Sequence, residues 1–574
     1  MMPLFDENSP FDYDAIVIGT GITGGWAAKE LCEKGLKTLV LERGRNLRHV
    51  VDYHTAQLDP WELENGGSLS EEELAKDYPK QRRTGYTVRP DWVHHFIKDS
   101  EHPYEEAENT RFDWIRGYQV GGRSLVWGRQ SYRLSEMDFE ANAREGIAID
   151  WPIRYGDLKP WYDYVESFVG ISGLAEGLDQ LPDGNFLKPM DFTCVEQDLR
   201  DSMKTSWKHR RLTIGRTAHI TSDGEKFGSR GECQYRNRCM RGCPYGAYFS
   251  SNSSTLPAAE TTGNMTLRTD SIVYEILYDE SSKKASGVKI IDAKTKKTYE
   301  FKSKIIFCNA SAIHSTAILM SSKSNRFPNG MGNDSGELGH NIMDHHFMVG
   351  ATADVEGYED KYYKGRRPNG FYIPRFRNLP NQRETKKDFL RGYGYQGGAN
   401  REKWWRGVAE MGYGKKFKEE LFNPGPWRIG MNGFGEMLPY HDNRMELTAK
   451  NDEWGIPIIK FHTTIRENEI KMREDMKKSA VEIFEEAGFK NVKEYDRGYG
   501  VGLGIHEMGT ARMGRDPKTS VLNKWNQIHE VKNVFITDGA CMTSAACQNP
   551  SLTYMALTAR AADYAVQELK KGNL

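Results

Sequence analysis

The chain has 574 residues, enough for two or three domains or for one large enzyme fold with insertions. Its 79 Lys and Arg balance 80 Asp and Glu for a net charge of −1, which excludes an electrostatic nucleic-acid binder. The composition, 28% charged and 11% aromatic with 8 Cys, reads as globular; it excludes a disulfide scaffold, and no apolar run reaches the roughly 18 residues of a membrane span.

Residues 1–13 are short and acidic and lack the basic region and apolar stretch of a signal peptide. The first readable unit follows. DAIVIG (14–19) is a β-branched run of the kind a buried parallel strand needs. GTGITGG leads into WAAKELCEKG with helical periodicity, and KTLVLE is a second buried strand. This is a βαβ unit. Residues 45–115 are polar, aromatic and irregular, and are expected to form a lid or a wrapping segment. GYQVGGRSLVWGRQ (117–130) is a glycine-rich loop, and 151–170 turns into an amphipathic helix. Strand-like segments resume at 265–310 and end in the helix HSTAILMSS. Residues 347–460 look like strands and loops of a second domain. A charged helix is expected over 463–488 and a strand over 489–500. The stretch 503–568 carries GIHEMGTARMG, NVFITDGA and NPSLTYMA before a closing helix. There is no internal repeat and no flexible linker, so the domains are expected to interleave.

Gly19-x-Gly21-x-x-Gly24 sits between the strand and the helix. The first glycine permits the tight turn, the second lets the backbone approach a pyrophosphate, and the third allows close helix–strand packing. The helix N-terminus offers free N–H groups to phosphate. Glu42, at the end of the second strand, is placed to accept hydrogen bonds from a ribose, with Arg43 beside it. A plain glycine turn is the competing reading, and the strand context argues against it. FAD and NAD share this unit. The cofactor domain here draws on distant parts of one long chain, which favours FAD.

The chain resembles the glucose-methanol-choline (GMC) flavin oxidoreductases from about residue 12 to 568. The N-terminal unit, GGRSLVWG (121–128), GELGHNIMDH (336–345) and HEMGTARMG (506–514) with VFITDGA and NPSLT carry the match. The branch it looks most like holds bacterial sugar and polyol dehydrogenases and pyranose oxidases. The resemblance implies an α/β fold: a Rossmann-like FAD-binding domain (12–150, 231–346 and 501–570) interleaved with an antiparallel-sheet substrate domain (151–230 and 347–500). By motif match it implies His506 as catalytic base and Asn549 as its partner. Gly122 and Ser124 fall in the flavin-facing loop, Val273 at the adenine, and Asp538 in a second FAD signature. The chemistry agrees. A neutral imidazole, with an ordinary pKa of about 6.5, can take the hydroxyl proton as hydride leaves the carbinol carbon. The amide can hold the substrate oxygen. Structural roles are expected for the other histidines; His345 and His346 form a pair without a third metal ligand. Some relatives link FAD covalently through a histidine before the loop tryptophan. Here that position is Val126, so FAD is expected to be non-covalent.

Cys233-x5-Cys239-x3-Cys243 lies among Arg236, Arg238 and Arg241. Three thiolates can hold a three-iron four-sulfur cluster. In multi-subunit relatives such a segment relays electrons from FAD to a cytochrome, and a small subunit carries the export signal. The expectation is therefore a cluster whose charge the arginines offset, with a small subunit and a cytochrome acceptor as partners. Reduced cysteines in a packed loop are the competing reading. Location is expected to be cytoplasmic, or periplasmic by co-export. The aromatic and amide-rich GYGYQGGAN, KWWRG and NPGPWRIGMNGFGEM suit sugar rings, although such residues are more often core. The expected activity is dehydrogenation of a sugar or glycoside hydroxyl, with the third ring carbon of a glucoside as the leading case. The alternatives are an oxygen-using pyranose-type oxidase and an inert flavoprotein binding module.

Overall fold

The computed structural model describes residues 13–363, 370–402, 413–422 and 424–574. The KWWRG segment lies outside these, as does most of the N-terminal stretch read for a signal. β1 (Tyr13–Ile18), α1 (Ile22–Glu33) and β2 (Thr38–Leu41) form the βαβ unit. β1 and β2 run parallel, with Ala15 opposite Thr38 and Ile18 opposite Leu41. Both faces are covered, so both strands read as continuous apolar runs.

Distant segments complete this sheet. Met265–Arg268 pairs with β2, the second half of Thr298–Cys308 pairs with β1, and Val534–Phe535 pairs beyond it, all in parallel. Taken in chain order, the five parallel strands lie side by side as third, second, first, fourth, fifth, a doubly wound arrangement that places a ligand crevice at the carboxyl ends near the first strand. Thr298–Cys308 serves two partners. Its first half pairs antiparallel with Lys284–Asp292, which in turn pairs with Ser271–Asp279.

The second sheet is antiparallel. Lys490–Asp496, His345–Val355, Trp427–Glu436, Tyr393–Arg401 and Phe371–Ile373 lie side by side, and Thr213–Ile214 closes the edge. The helix Glu467–Glu486 covers one face, where Met472, Met476 and Ile483 pack with Tyr395 and Met431. Side chains alternate along a strand, so Gln396 points away from Tyr395 and into the cavity between the sheets. A register shift between His346 and Val349 interrupts the pairing of His345–Val355 with Trp427–Glu436, with Met348 at φ 61°. Such a bulge re-aims neighbouring side chains, and it lies next to His345.

The segment 45–115 has apolar contacts of its own. Glu105–Glu106 runs parallel to Pro457–His462, and Phe112 stacks on Phe461 with ring centres 3.9 Å apart. Among the described residues, no helix is long and apolar enough to cross a membrane.

Candidate active site and cofactor cradle

A cavity of about 480 Å³ lies where the two sheets meet. Gly19, Gly21, Glu42 and Arg43 line it from the parallel strands and Val273 from the antiparallel extension of the same sheet; Phe347, Gln396 and Phe434 line it from the second sheet. Gly122, Ser124, Asp538, His506 and Asn549 complete the wall, so the residues singled out as binding or catalytic share one cavity, except Gly24, which lies behind the turn.

The glycines are explained by what a side chain would meet. A Cβ on Gly24 would lie 2.0 Å from the Gly19 carbonyl oxygen, so helix and turn can meet only without one. Gly19 has φ +94°, in the left-handed region. Gly21 is different: a Cβ there meets nothing within 4 Å and would project into the open cavity. Space is kept at Gly21 for something the protein does not supply. Arg43 lies over the Tyr118 ring at 4.6 Å, and its buried Nε has no hydrogen-bond partner among the described residues. Open space at the turn and an unpartnered buried donor at the far end of β2 fit an FAD dinucleotide.

Glu42 does more than the sequence suggests. Its carboxylate accepts hydrogen bonds from the Thr20 hydroxyl, from Thr20 N at 3.1 Å and from Gly44 N at 2.9 Å. It braces the turn while facing the cavity, and burial pushes its pKa up. Ser124 is also braced, donating to the Gly121 carbonyl at 2.6 Å and accepting from Ser251 N at 3.0 Å. Asp538 accepts from Ser315 Oγ at 2.6 Å and Ala540 N at 3.0 Å, and burial lifts it to about 6. Val126 is buried, and its aliphatic side chain offers no atom for covalent attachment.

The catalytic candidates form a hydrogen-bonded chain. His345 Nε2 is 2.9 Å from the Ala546 carbonyl, which can only accept. His345 therefore donates from Nε2, and burial keeps the ring neutral by lowering its pKa to about 4. Its Nδ1 is then an acceptor, 2.8 Å from His506 Nδ1, which must donate. That leaves the lone pair of His506 on Nε2, 3.4 Å from Asn549 Nδ2. Asn549 Oδ1 accepts from Gln396 Nε2 at 2.6 Å. Burial, with His345 and Arg123 nearby, holds His506 well below the ordinary imidazole range. The site thus contains a neutral histidine whose basic nitrogen faces an amide donor.

The backbone around His506 is fixed by carboxylates. Asp344 accepts from the amides of Gly502 at 2.8 Å, Gly504 at 2.9 Å and His506 at 3.1 Å. Burial, then the neighbouring Glu507 charge, raises Asp344 to about 7. Arg123 grips Glu507 with two hydrogen bonds, at 2.8 and 2.9 Å, and so ties the glycine loop to the catalytic segment. Sequence reasoning missed His345, Asp344, Arg123 and Gln396 as parts of the site. Three of them sit inside motifs it had already quoted; Gln396 sits in an aromatic stretch where nothing distinguished it.

The cluster expectation is overturned. Cys233, Cys239 and Cys243 form no disulfide, and among the described residues no three His, Cys, Asp or Glu side chains converge to hold a metal. Burial pushes the Cys233 thiol up to about 11, away from the thiolate that ligation requires. The arginines have another use. Arg236 donates to the Ala56 carbonyl at 2.6 Å, Arg238 to the Gln57 carbonyl at 2.7 Å and Arg241 to the Leu58 carbonyl at 2.7 Å. They fasten the cysteine loop to the segment 45–115 rather than offsetting a cluster's charge.

Models of GMC oxidoreductases match residues 13–347 and 439–558. The chain is 28% identical to 2-methyl-1,2-propanediol dehydrogenase of Mycolicibacterium austroafricanum, over 96% of this chain and 94% of that one. It is 24% identical to the fructose dehydrogenase large subunit of Gluconobacter japonicus, over 99% and 100%. It is 25% identical to paromamine 6'-oxidase of Streptomyces fradiae, over 96% and 90%. Formate oxidase from Aspergillus oryzae RIB40 shares the fold, with a TM-score of 0.61 at 14% identity over 99% of this chain and 100% of that one.

Proposed function

The chain belongs to the GMC oxidoreductase family and is an FAD-dependent oxidoreductase acting on CH–OH groups; from that premise we propose that it dehydrogenates a secondary hydroxyl of a sugar or glycoside, with His506 as the base. The observation that carries this reading is the lone pair on His506 Nε2, set against Asn549 Nδ2 in the same cavity as the glycine turn. FAD, when bound, supplies the hydride acceptor.

The side chains divide the remaining work. His506 Nε2 takes the hydroxyl proton, and its positive charge is then shared toward His345 through the Nδ1 hydrogen bond. Asn549 Nδ2 donates to the substrate oxygen as negative charge develops there. Phe347 and Phe434, stacked with ring centres 5.0 Å apart, give the cavity an apolar wall that suits a ring face. The names of the relatives, a propanediol, fructose and paromamine enzyme, support a polyhydroxylated substrate. The third ring carbon of a glucoside is the leading case, on the strength of the sugar-oxidising branch alone.

The test is anaerobic titration of the purified protein with a panel of sugars, glycosides and polyols while the flavin spectrum is followed. Bleaching by a glycoside is expected; a panel that leaves the spectrum unchanged overturns the substrate class. A second reading, oxidation at the expense of oxygen, draws support from the relative named as a 6'-oxidase. Peroxide release in air without added dye decides for it. The large subunit in another relative's name supports a small partner subunit, which copurification from the native host would reveal.

A further inference from the structure

We propose that Gln396 reinforces the polarity of the Asn549 amide and accepts a second substrate hydroxyl, so that a hydroxyl neighbouring the reacting one is part of what the enzyme recognises. The inference rests on the reading of His506 as base and extends it to the substrate.

The chain of hydrogen bonds has a direction, and a backbone carbonyl fixes it. Ala546 can only accept, so His345 donates to it; His506 then donates to His345, and Asn549 donates to His506. The Asn549 amide is nearly symmetric in shape. Turned by half a rotation it would present Oδ1 to His506 Nε2, lone pair against lone pair. Gln396 reinforces the donating orientation set through His506 by giving Nε2–H to Asn549 Oδ1 at 2.6 Å, the shortest link in the chain. Having committed its Nε2 to Asn549, Gln396 is left with Oε1. That oxygen has no hydrogen-bond partner among the described residues, and the side chain lines the cavity. Acceptors of this kind recognise O–H or N–H donors. The reacting hydroxyl gives its proton to His506, so the donor to Gln396 must be another group of the same molecule, close to the reacting carbon. A vicinal diol, or a ring with adjacent hydroxyls, satisfies both ends at once. Gln396 comes from Tyr393–Arg401 of the antiparallel sheet, while Asn549 and His506 come from the segment after residue 500. One side chain thus couples substrate recognition on one sheet to the base held against the other.

The probes are matched pairs: methyl β-glucoside with its 2-deoxy and 4-deoxy counterparts, and 2-methylpropane-1,2-diol with 2-methylpropan-1-ol. Flavin reduction is followed anaerobically by stopped flow in wild type, Gln396→Leu and Gln396→Glu. Wild type is expected to favour the hydroxylated member of a pair by about tenfold or more, on the scale of one hydrogen bond. Gln396→Leu should bring the two members to within a few fold. Gln396→Glu keeps the shape but repels Asn549 Oδ1. The amide should turn, its carbonyl should face His506 Nε2 and raise that pKa, and the acid limb of the pH profile should move to higher pH. A side chain that only packs would leave the pH profile in place. Equal rates on both members by wild type overturn the proposal without any variant. So does an unchanged preference in Gln396→Leu, or an unchanged acid limb in Gln396→Glu. If no probe bleaches the wild-type flavin, it is the sugar or polyol reading above that falls.

Discussion

A base that must accept a proton near neutrality works only while it is neutral, and the proposed base, His506, is held in that state by burial, with His345 and Arg123 nearby. His506→Ala is expected to keep FAD and slow flavin reduction at least ~100-fold, the scale of a general base; reduction at the wild-type rate would remove His506 from the mechanism. Because the His506 pKa is lowered, the neutral form persists below pH 6.5, and the acid limb of flavin reduction is expected below that value. A limb centred above 6.5 contradicts the environment described. Gly21→Val should yield apoprotein, since the new side chain projects into the open space at the turn, and a full flavin spectrum in that variant would show the cradle to be elsewhere. At this scale the sequence was partly legible. Gly21, His506 and Asn549 could be singled out because each sits in a motif whose residues have one chemical use, and the fold brings all three to one cavity. His345 was set aside because the His345–His346 pair has no third metal ligand at ligating spacing, and only the fold shows that His345 meets His506.

Among the elements, the glycine loop and the His506 segment are coupled through a part-buried ion pair whose carboxylate, Glu507, is buried. Removing one partner of such a pair strands the other charge and costs about 3 kcal/mol or more. Arg123→Met is therefore expected to lower the melting temperature and to weaken FAD retention together, since Glu507 loses its partner beside the cavity. Loss of one without the other would separate the loop from the site. The cysteine loop should behave in the opposite way. Cys239→Ser is expected to leave flavin reduction by substrate and turnover with an artificial dye at wild-type levels, and iron analysis of protein prepared without air is expected to find none. The βαβ unit was legible because its strands are buried on both faces and its helix has clear periodicity. The cysteine segment was misread because spacing along a chain does not fix where side chains point. The positions of the three arginines, which tie that loop to residues 56–58, were not deducible from their charge.

The whole molecule stores many neutral histidines. His49, His94 and His345 are pushed down to about 4, and His219, His314, His346 and His506 well below 6.5, chiefly by burial. The unfolded chain binds protons at these rings below about 6.5 while the folded one does not, so stability falls as pH drops through that value. Asp344 and Glu436, both lifted to about 7, work the other way: their contribution is full below about 4 and is lost as pH rises toward 7. The histidines outnumber them, and the melting temperature is expected to be lower at pH 5 than at pH 7; a higher value at pH 5 would mean that the carboxyls dominate. The order in which the parallel sheet is assembled bears on how the enzyme matures. β1 and β2 emerge from the ribosome first, but Val534–Phe535, which covers the open edge of Thr298–Cys308, comes some five hundred residues later in the numbering. That strand ends at residue 308, so at roughly 5–20 residues per second the nascent chain spends about 10 to 45 seconds with its edge bare before the partner is made. Asp538 and Asn549 arrive later still, so the cavity has all its walls only when synthesis is nearly complete.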